Sequence, residues 1–173
     1  MENTFFSKTT RKLPDKSSTT YEWYISADKI FKSRAEGLED FSRISCMEFG
    51  ISRFSLFDED KNFDSAVLAR DVKICMGPGS HCPMILDRLT KQSVIPKITI
   101  KKTASLMGKV ETLETKEFSQ CPIQSFSIMG DDIYFSFRYS SYSDSYTKFA
   151  EDGSKSGTAA VKIDLAKWEA EDS

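Results

Sequence analysis

The chain has 173 residues, of which 39% are hydrophobic and 29% charged, so it is long and apolar enough to bury one core. Its formal net charge of -2 argues against binding to nucleic acid or to an anionic membrane surface, which both select a basic face. No apolar run approaches the roughly 18 residues of a membrane-spanning helix, so no stable membrane insertion is expected.

Residues 1–20 are rich in Ser, Thr and Lys and are predicted to form a flexible N-terminal arm. The segment lacks the unbroken apolar stretch of a secretory signal peptide, so any export is expected to use a route that needs no cleavable leader. Phe5 and Phe6 either dock on a partner or are simply disordered. Residues 21–173 are predicted to form a single domain.

The first half of this domain alternates strand patterns with polar connections. YEWYISADKIF (21–31) mixes aromatic and β-branched residues, as strands do. RISCMEFGISRFSLF (43–57) indicates one long strand or two, with a bend near Gly50, where the apolar phase shifts. DVKICM (71–76) alternates apolar and polar residues and predicts a further strand.

The segment 58–71 begins with a charged run and has no clear period, which predicts a long loop. Apolar side chains inside such a polar loop indicate that something covers them. The candidate contact residues of an interface are therefore Phe63, Val67, Leu68 and Arg70.

GPGSHCPMILDRLTKQ (77–92) reads as a glycine and proline turn followed by a short helix. Cys82 and Pro83 are placed at the start of that helix, because proline suits the first helical position. Leucine and isoleucine side chains then form an apolar stripe that can pack on a sheet. His81, the only histidine, is expected to be an exposed turn residue.

The second half of the chain returns to strand patterns. GDDIYFSFRY (130–139) shows the clearest alternation, with Ile133, Phe135, Phe137 and Tyr139 expected to point inward. Further strands are predicted within 94–102, 109–118, 123–129 and 159–168. The total of about eight strands predicts a mainly β protein, an antiparallel barrel or sandwich with one short flanking α-helix.

No constellation in the sequence supports catalysis or a cofactor. Ser80, His81 and Cys82 are adjacent, so their side chains diverge, and the segment lacks the lysine and spacing of a phosphate-binding loop. The four cysteines contain no CxxC pair, which disfavours zinc. The acidic run 58–64 lacks EF-hand spacing. The aromatic strand near Arg138 lacks the glycines and basic surroundings of an RNA-binding motif. We therefore expect no catalytic residue, metal or cofactor.

Taken in order, these features resemble the Hcp (TssD) family, the inner-tube subunit of the bacterial type VI secretion system. The likeness begins at YEWYISADKIFK and continues through SRAEGLED and FSRISCMEFGIS. Its firmest part is DVKICMGPGSHCPMILDRLTKQSVIPKITIKK, where Cys82-Pro83 stands at the family's Ser-Pro position and Gly79 at its aspartate position. The aromatic and tyrosine-rich segments of 121–153 resemble the family's closing hairpin.

The resemblance implies a structural protein and not an enzyme. Members of the family form homohexameric rings that stack into a tube, which carries effectors and is propelled by a contracting sheath. It implies spike, sheath and baseplate proteins as further partners. It also implies assembly in the bacterial cytoplasm followed by secretion without a signal peptide.

Two other classes stay open on the residues alone. A monomeric barrel that binds a small ligand would line its cavity with Phe135, Phe137 and Tyr139. An enzyme centred on Ser80, His81 and Cys82 is the remaining alternative.

Overall fold

The computed structural model describes residues 20–31, 38–57, 63–106, 109–150 and 154–165. Within them lies one helix, α1 (His81–Thr90). The strands are β1 (Tyr21–Ala27), β2 (Ser42–Ile44), β3 (Cys46–Glu48), β4 (Ile51–Phe57), β5 (Phe63–Ala69), β6 (Val72–Met76), β7 (Val94–Leu106), β8 (Lys109–Met129), β9 (Asp132–Phe137), β10 (Ser141–Phe149) and β11 (Lys155–Asp164). Eleven strands therefore replace the predicted total of about eight, while the mainly β, antiparallel class with one helix is confirmed.

Nine of the described strands form two sheets that share β8, and β4 and β5 lie outside both. One sheet runs β2-β1-β7-β8-β10-β11 and the other runs β8-β9-β6-β3, with antiparallel pairing throughout. The sheet path does not close on itself, which makes the fold an open, barrel-like β-sandwich. Residues 1–19, most of the predicted arm, lie outside the described residues.

β8 is one strand of 21 residues where the sequence predicted two. Its first half pairs with β7 and β10, and its second half pairs with β9. Gln120 takes a left-handed φ of 51°, and the register with β9 shifts between Ile123 and Ser125. Pro122 lies beside this irregularity. Proline has no N–H to donate to a hydrogen bond between strands, so it fits best where the regular pairing is interrupted. The strand thus bends from one sheet into the other without ending.

The core is built from both sheets and α1. Val72, Ile74 and Met76 of β6 are fully buried, as the alternation predicted. Ile133, Phe135 and Phe137 of β9, which were predicted to point inward, are buried in the same way, and Tyr139, two residues after the strand, is buried as well. Ile85, which belongs to the apolar stripe of α1, is fully buried and packs into this core. The alternation predicted correctly which side chains of these strands face the core, because a strand with one buried face places every second residue there.

The predicted loop 58–71 is wrong over residues 63–69, which are half of its length. Residues 63–69 form β5, which pairs with β4 as a separate two-stranded ribbon, from Ile51 opposite Ala69 to Phe57 opposite Phe63. Residues 58–62 lie outside the described part. The hydrogen bonds to β4 stabilise this segment as a strand, although its sequence shows no regular alternation of apolar and polar residues.

Candidate assembly surfaces

His81 is buried, which corrects the expectation of an exposed turn residue. It is 7% exposed, its Nε2 donates to the carbonyl oxygen of Gly77 at 3.1 Å, and its ring lies 5.5 Å from that of Phe31. Burial lowers the pKa of His81 below its usual value, and the hydrogen bond to Gly77 opposes this in part. The imidazole is therefore a neutral packing element that holds the turn against the core.

The helix begins at His81, two residues before the predicted start. Cys82 and Pro83 are its second and third residues, where a proline is tolerated because first-turn N–H groups have no partner within the helix. Ser80 precedes the helix without a side-chain cap, and Cys82 Sγ instead accepts a hydrogen bond from the N–H of Gly79 at 3.4 Å. His81 and Cys82 thus engage different backbone groups and form no relay.

The predicted contact residues sit on the β4–β5 ribbon and at its base. Leu68 is 56% exposed, and Arg70 is exposed while its N–H donates to the carbonyl oxygen of Gly50 at 3.1 Å. Phe63 lies at the far end of the ribbon; its side chain and that of Val67 lie outside the described part of the structure. The structure thus places Leu68 and Arg70 together in solvent.

A second surface is the exposed edge of β11. A strand was predicted within 159–168, but its exposure as a sheet edge was not. It pairs with β10 alone among the described strands, and every side chain from Lys155 to Lys162 is exposed. Val161 is 54% exposed, and Tyr146, opposite Ala159 on β10, is 49% exposed. A long edge of unpaired backbone with small and apolar side chains is a template for pairing with another strand. The run of small residues at 157–160, without a core-facing alternation, was the available signal.

A buried ion cluster stabilises the start of this hairpin. Lys116 of β8 is 7% exposed and pairs with Glu114 and with Asp144 Oδ2 at 2.7 Å. The hydroxyl of Tyr142 donates to the same Asp144 oxygen at 2.7 Å. Burial works against the charge of Lys116, but the hydrogen bonds from its ammonium to Asp144, Glu114 and Tyr142 outweigh it and raise its pKa. The pairing fixes β10 on β8, and β11 extends from β10 as its outer neighbour.

The residues that the structure describes offer no group of three or more histidine, cysteine or acidic side chains placed to hold a metal ion. Their helix is also too short to span a membrane. The chemistry that remains on the surface is that of strand edges, apolar side chains and ion pairs.

Comparisons with known proteins bear on the fold. No protein-family model and no curated protein sequence matches the chain. Among solved structures, a type six secretion system protein superposes with a TM-score of 0.75 at 11% identity, covering 86% of this chain and 98% of its own. Hcp1 from Salmonella typhimurium gives 0.68 at 12%, with 85% and 96% covered.

The secreted protein Hcp3 from Pseudomonas aeruginosa gives a TM-score of 0.55 at 14% identity, with 83% of this chain and 97% of its own covered. At such low identity the likeness speaks for the backbone arrangement. The chain therefore has an Hcp-like fold.

Proposed function

We propose that this chain is a tube-forming subunit of a type VI secretion system. Copies of it assemble side by side into six-membered rings, and the rings stack into a tube. The observation that carries the proposal is the Hcp-like fold over most of the chain, together with similarity to a protein named for that secretion system.

The open edge of β11 supports the ring. Its exposed backbone and its side chains, exposed on both faces, suit pairing with a neighbouring copy, which would remove an aggregation-prone edge. A ring closes through such a contact only if one surface meets a different surface of the next copy. The short strands β2 and β3 end the two sheets on the other side and are available as the complementary surface.

The β4–β5 ribbon supports stacking. Among the described strands it pairs with neither main sheet, and Leu68 on the ribbon and Arg70 at its base are exposed. In a stacked tube these residues contact the next ring. This is the place in the assembly that we propose for the predicted contact residues Phe63, Val67, Leu68 and Arg70.

The tube carries effectors in its lumen and meets the spike, sheath and baseplate proteins of the secretion system. Assembly takes place in the bacterial cytoplasm, and the chain itself then reaches the exterior or a target cell. The named likeness to a secreted Hcp protein supports release. In this role the chain is a structural protein and not an enzyme.

The packing of the aromatic core argues against the alternative of a barrel that binds a small ligand. Phe137 and Tyr139 pack on Phe118 at ring-centroid distances of 5.4 and 5.1 Å, and Phe135 stacks on Phe31 at 6.3 Å. Because these rings contact one another, they fill the interior there instead of lining a ligand cavity.

The test is the oligomeric state of the purified chain at high concentration. Light scattering after size-exclusion chromatography should give a hexamer mass, and negative-stain electron microscopy should show rings. A chain that stays monomeric at the highest attainable concentration contradicts the proposal.

A matched pair of variants tests the role of β11. Val161→Asp places a charge on the proposed ring contact and should reduce hexamers to monomers, while Val110→Asp, which changes a more exposed valine at the start of β8, should leave rings intact. Circular dichroism checks that both variants fold. Rings that survive Val161→Asp and dissociate with Val110→Asp would place the contact elsewhere.

A further inference from the structure

Two cysteines face each other across neighbouring strands on the outer face of the second sheet. Cys46 of β3 lies directly opposite Cys75 of β6. Cys75 is on the face opposite to the core residues Ile74 and Met76, yet it is only 4% exposed, whereas Cys46 is half-buried. Burial, and then the neighbouring thiol of Cys75, raise the pKa of the Cys46 thiol to about 12, and both cysteines are free.

The register suits a covalent link. Residues directly opposite in an antiparallel pair have Cα atoms roughly 4.5–5.5 Å apart. A disulfide needs a Cα separation of about 4.4–6.8 Å and side chains that point the same way. The register places Cys46 directly opposite Cys75, and side chains directly opposite each other in an antiparallel pair point to the same face, so the pair has the arrangement that a disulfide needs. Cys121 is buried in the core, and Cys82 bonds to the N–H of Gly79 in the helix turn, so neither has a cysteine opposite it on a paired strand.

We propose that Cys46 and Cys75 form a cross-strand disulfide when the folded chain meets a small-molecule disulfide such as oxidised glutathione. The thiolate of the half-buried Cys46 attacks one glutathione sulfur, forms a mixed disulfide and releases one glutathione thiolate. The thiolate of Cys75 then attacks the Cys46 sulfur and releases the second. The cysteines lose two electrons, glutathione gains them, and the two cysteine protons end on the two reduced glutathione molecules.

The bond closes the segment from Cys46 to Cys75, which contains the β4–β5 ribbon. It also joins β3, an edge strand of three residues, to the longer β6. Such a link removes conformational freedom from the unfolded chain, more so for longer loops. Under oxidising conditions the bond therefore adds a covalent link at the base of the ribbon, while the reduced chain keeps the hydrogen-bonded pairing of β3 with β6. This chemistry does not rest on the proposed function, because an unassembled chain carries the same pair.

The experiment treats the native full chain with oxidised glutathione and maps its disulfides by mass spectrometry after blocking free thiols and digesting with trypsin. Trypsin separates Cys46, in peptide 44–53, from Cys75, which shares peptide 74–88 with Cys82. The Cys82→Ser variant makes the assignment unique. We expect peptides 44–53 and 74–88 to be joined, with the loss of two hydrogen atoms from the intact mass.

Oxidation should also raise the Tm by roughly 5–10 °C, and dithiothreitol should reverse the rise. Cys82→Ser and Cys121→Ser should keep this shift, whereas Cys46→Ser and Cys75→Ser should lose it. A glutathione adduct on Cys46 without a cross-link, a link to Cys82, a bond that forms only in denaturant, or no oxidation would each overturn the proposal. A disulfide between Cys46 and Cys75 without a rise in Tm would contradict the proposed stabilisation of the fold by this bond.

Discussion

The imidazole of His81 and the α-carbon of Gly79 lie so close that no side chain fits between them. A Cβ at position 79 would come within 2.8 Å of Cε1 of the ring, whose Nε2 is held by Gly77. We expect Gly79→Ala to displace the ring and to lower the free energy of unfolding by about 1–3 kcal/mol. Urea denaturation measures the change.

Two comparisons isolate that contact. Gly77→Ala adds the same methyl group where nothing lies within 4 Å, and should change stability by less than about 0.5 kcal/mol. In a His81→Ala background, Gly79→Ala should cost little further. An equal cost of Gly79→Ala in both backgrounds would show that the ring is not the cause.

Stability should fall as the pH drops below about 6.5, the ordinary pKa of histidine. Burial lowers the pKa of His81 in the folded state, so the unfolded chain binds a proton first and is favoured as the pH falls. Because His81 is the only histidine, His81→Gln should remove this dependence between about pH 7 and 5. The check is a set of urea midpoints across this range, and an unchanged slope in His81→Gln would refute the assignment.

Removal of the buried Lys116 charge should be costly. Lys116→Met leaves Glu114 and Asp144 without their cation, and the expected loss is about 3–5 kcal/mol. Lys97→Met removes a lysine paired with Glu117 at the surface, and should cost less than about 1 kcal/mol. Chemical denaturation of both variants decides the matter, and similar losses for the two would contradict a special role for the buried pair.

Ring formation and ring stacking should respond to different surfaces. Leu68→Asp changes an exposed side chain on the ribbon and should leave rings but abolish tubes, because it adds a charge to the proposed stacking contact. Val161→Asp should abolish the rings themselves. Electron microscopy distinguishes the two outcomes, and tubes that persist in Leu68→Asp would exclude that contact.

The chain should lose stability above about pH 9. Burial raises the pKa of the Cys121 thiol to about 12 and that of the Tyr139 hydroxyl to about 12. The unfolded chain therefore releases these protons at lower pH than the folded chain, and each further rise in pH favours unfolding until the folded groups also ionise. Cys121→Ala should reduce the slope of stability between pH 9 and 11. An unaltered slope would show that other groups cause the loss.

The sequence was sufficient where one face of an element meets the core. Val72, Ile74 and Met76 alternate because β6 is buried on one side, and the residues of β9 do so for the same reason. The helix was found from its apolar stripe, although its first turn begins earlier because the packing of His81 extends it. Burial on one face requires apolar residues at regular spacing in the sequence, so these elements could be predicted.

The features that were not predicted, or were predicted only in part, lack this regular spacing of apolar residues. β5 has no regular core face in its sequence, and its pairing with β4, not its own residues, makes it a strand. β11 was predicted in part, as a strand within 159–168, but its pairing with β10 already begins at Lys155. The sequence predicted two strands, within 109–118 and 123–129, but β8 continues through the irregularity at Gln120 into the second sheet. The cross-strand position of Cys46 and Cys75 depends on register between distant segments. Of the candidate surfaces, the sequence indicated the ribbon residues and missed the β11 edge.

The continuity of β8 determines when the fold can form during synthesis. β1 needs β7 as its main partner, β6 needs β9, and both β7 and β9 pair with β8. In the amino-terminal half, β1 and β6 therefore leave the ribosome before the strands with which they make their longer pairings. Such non-local pairing is slow and exposes apolar strands to aggregation in the meantime. A chain interrupted within 109–129 would lose both sheets together, so folding is expected to be a single late event.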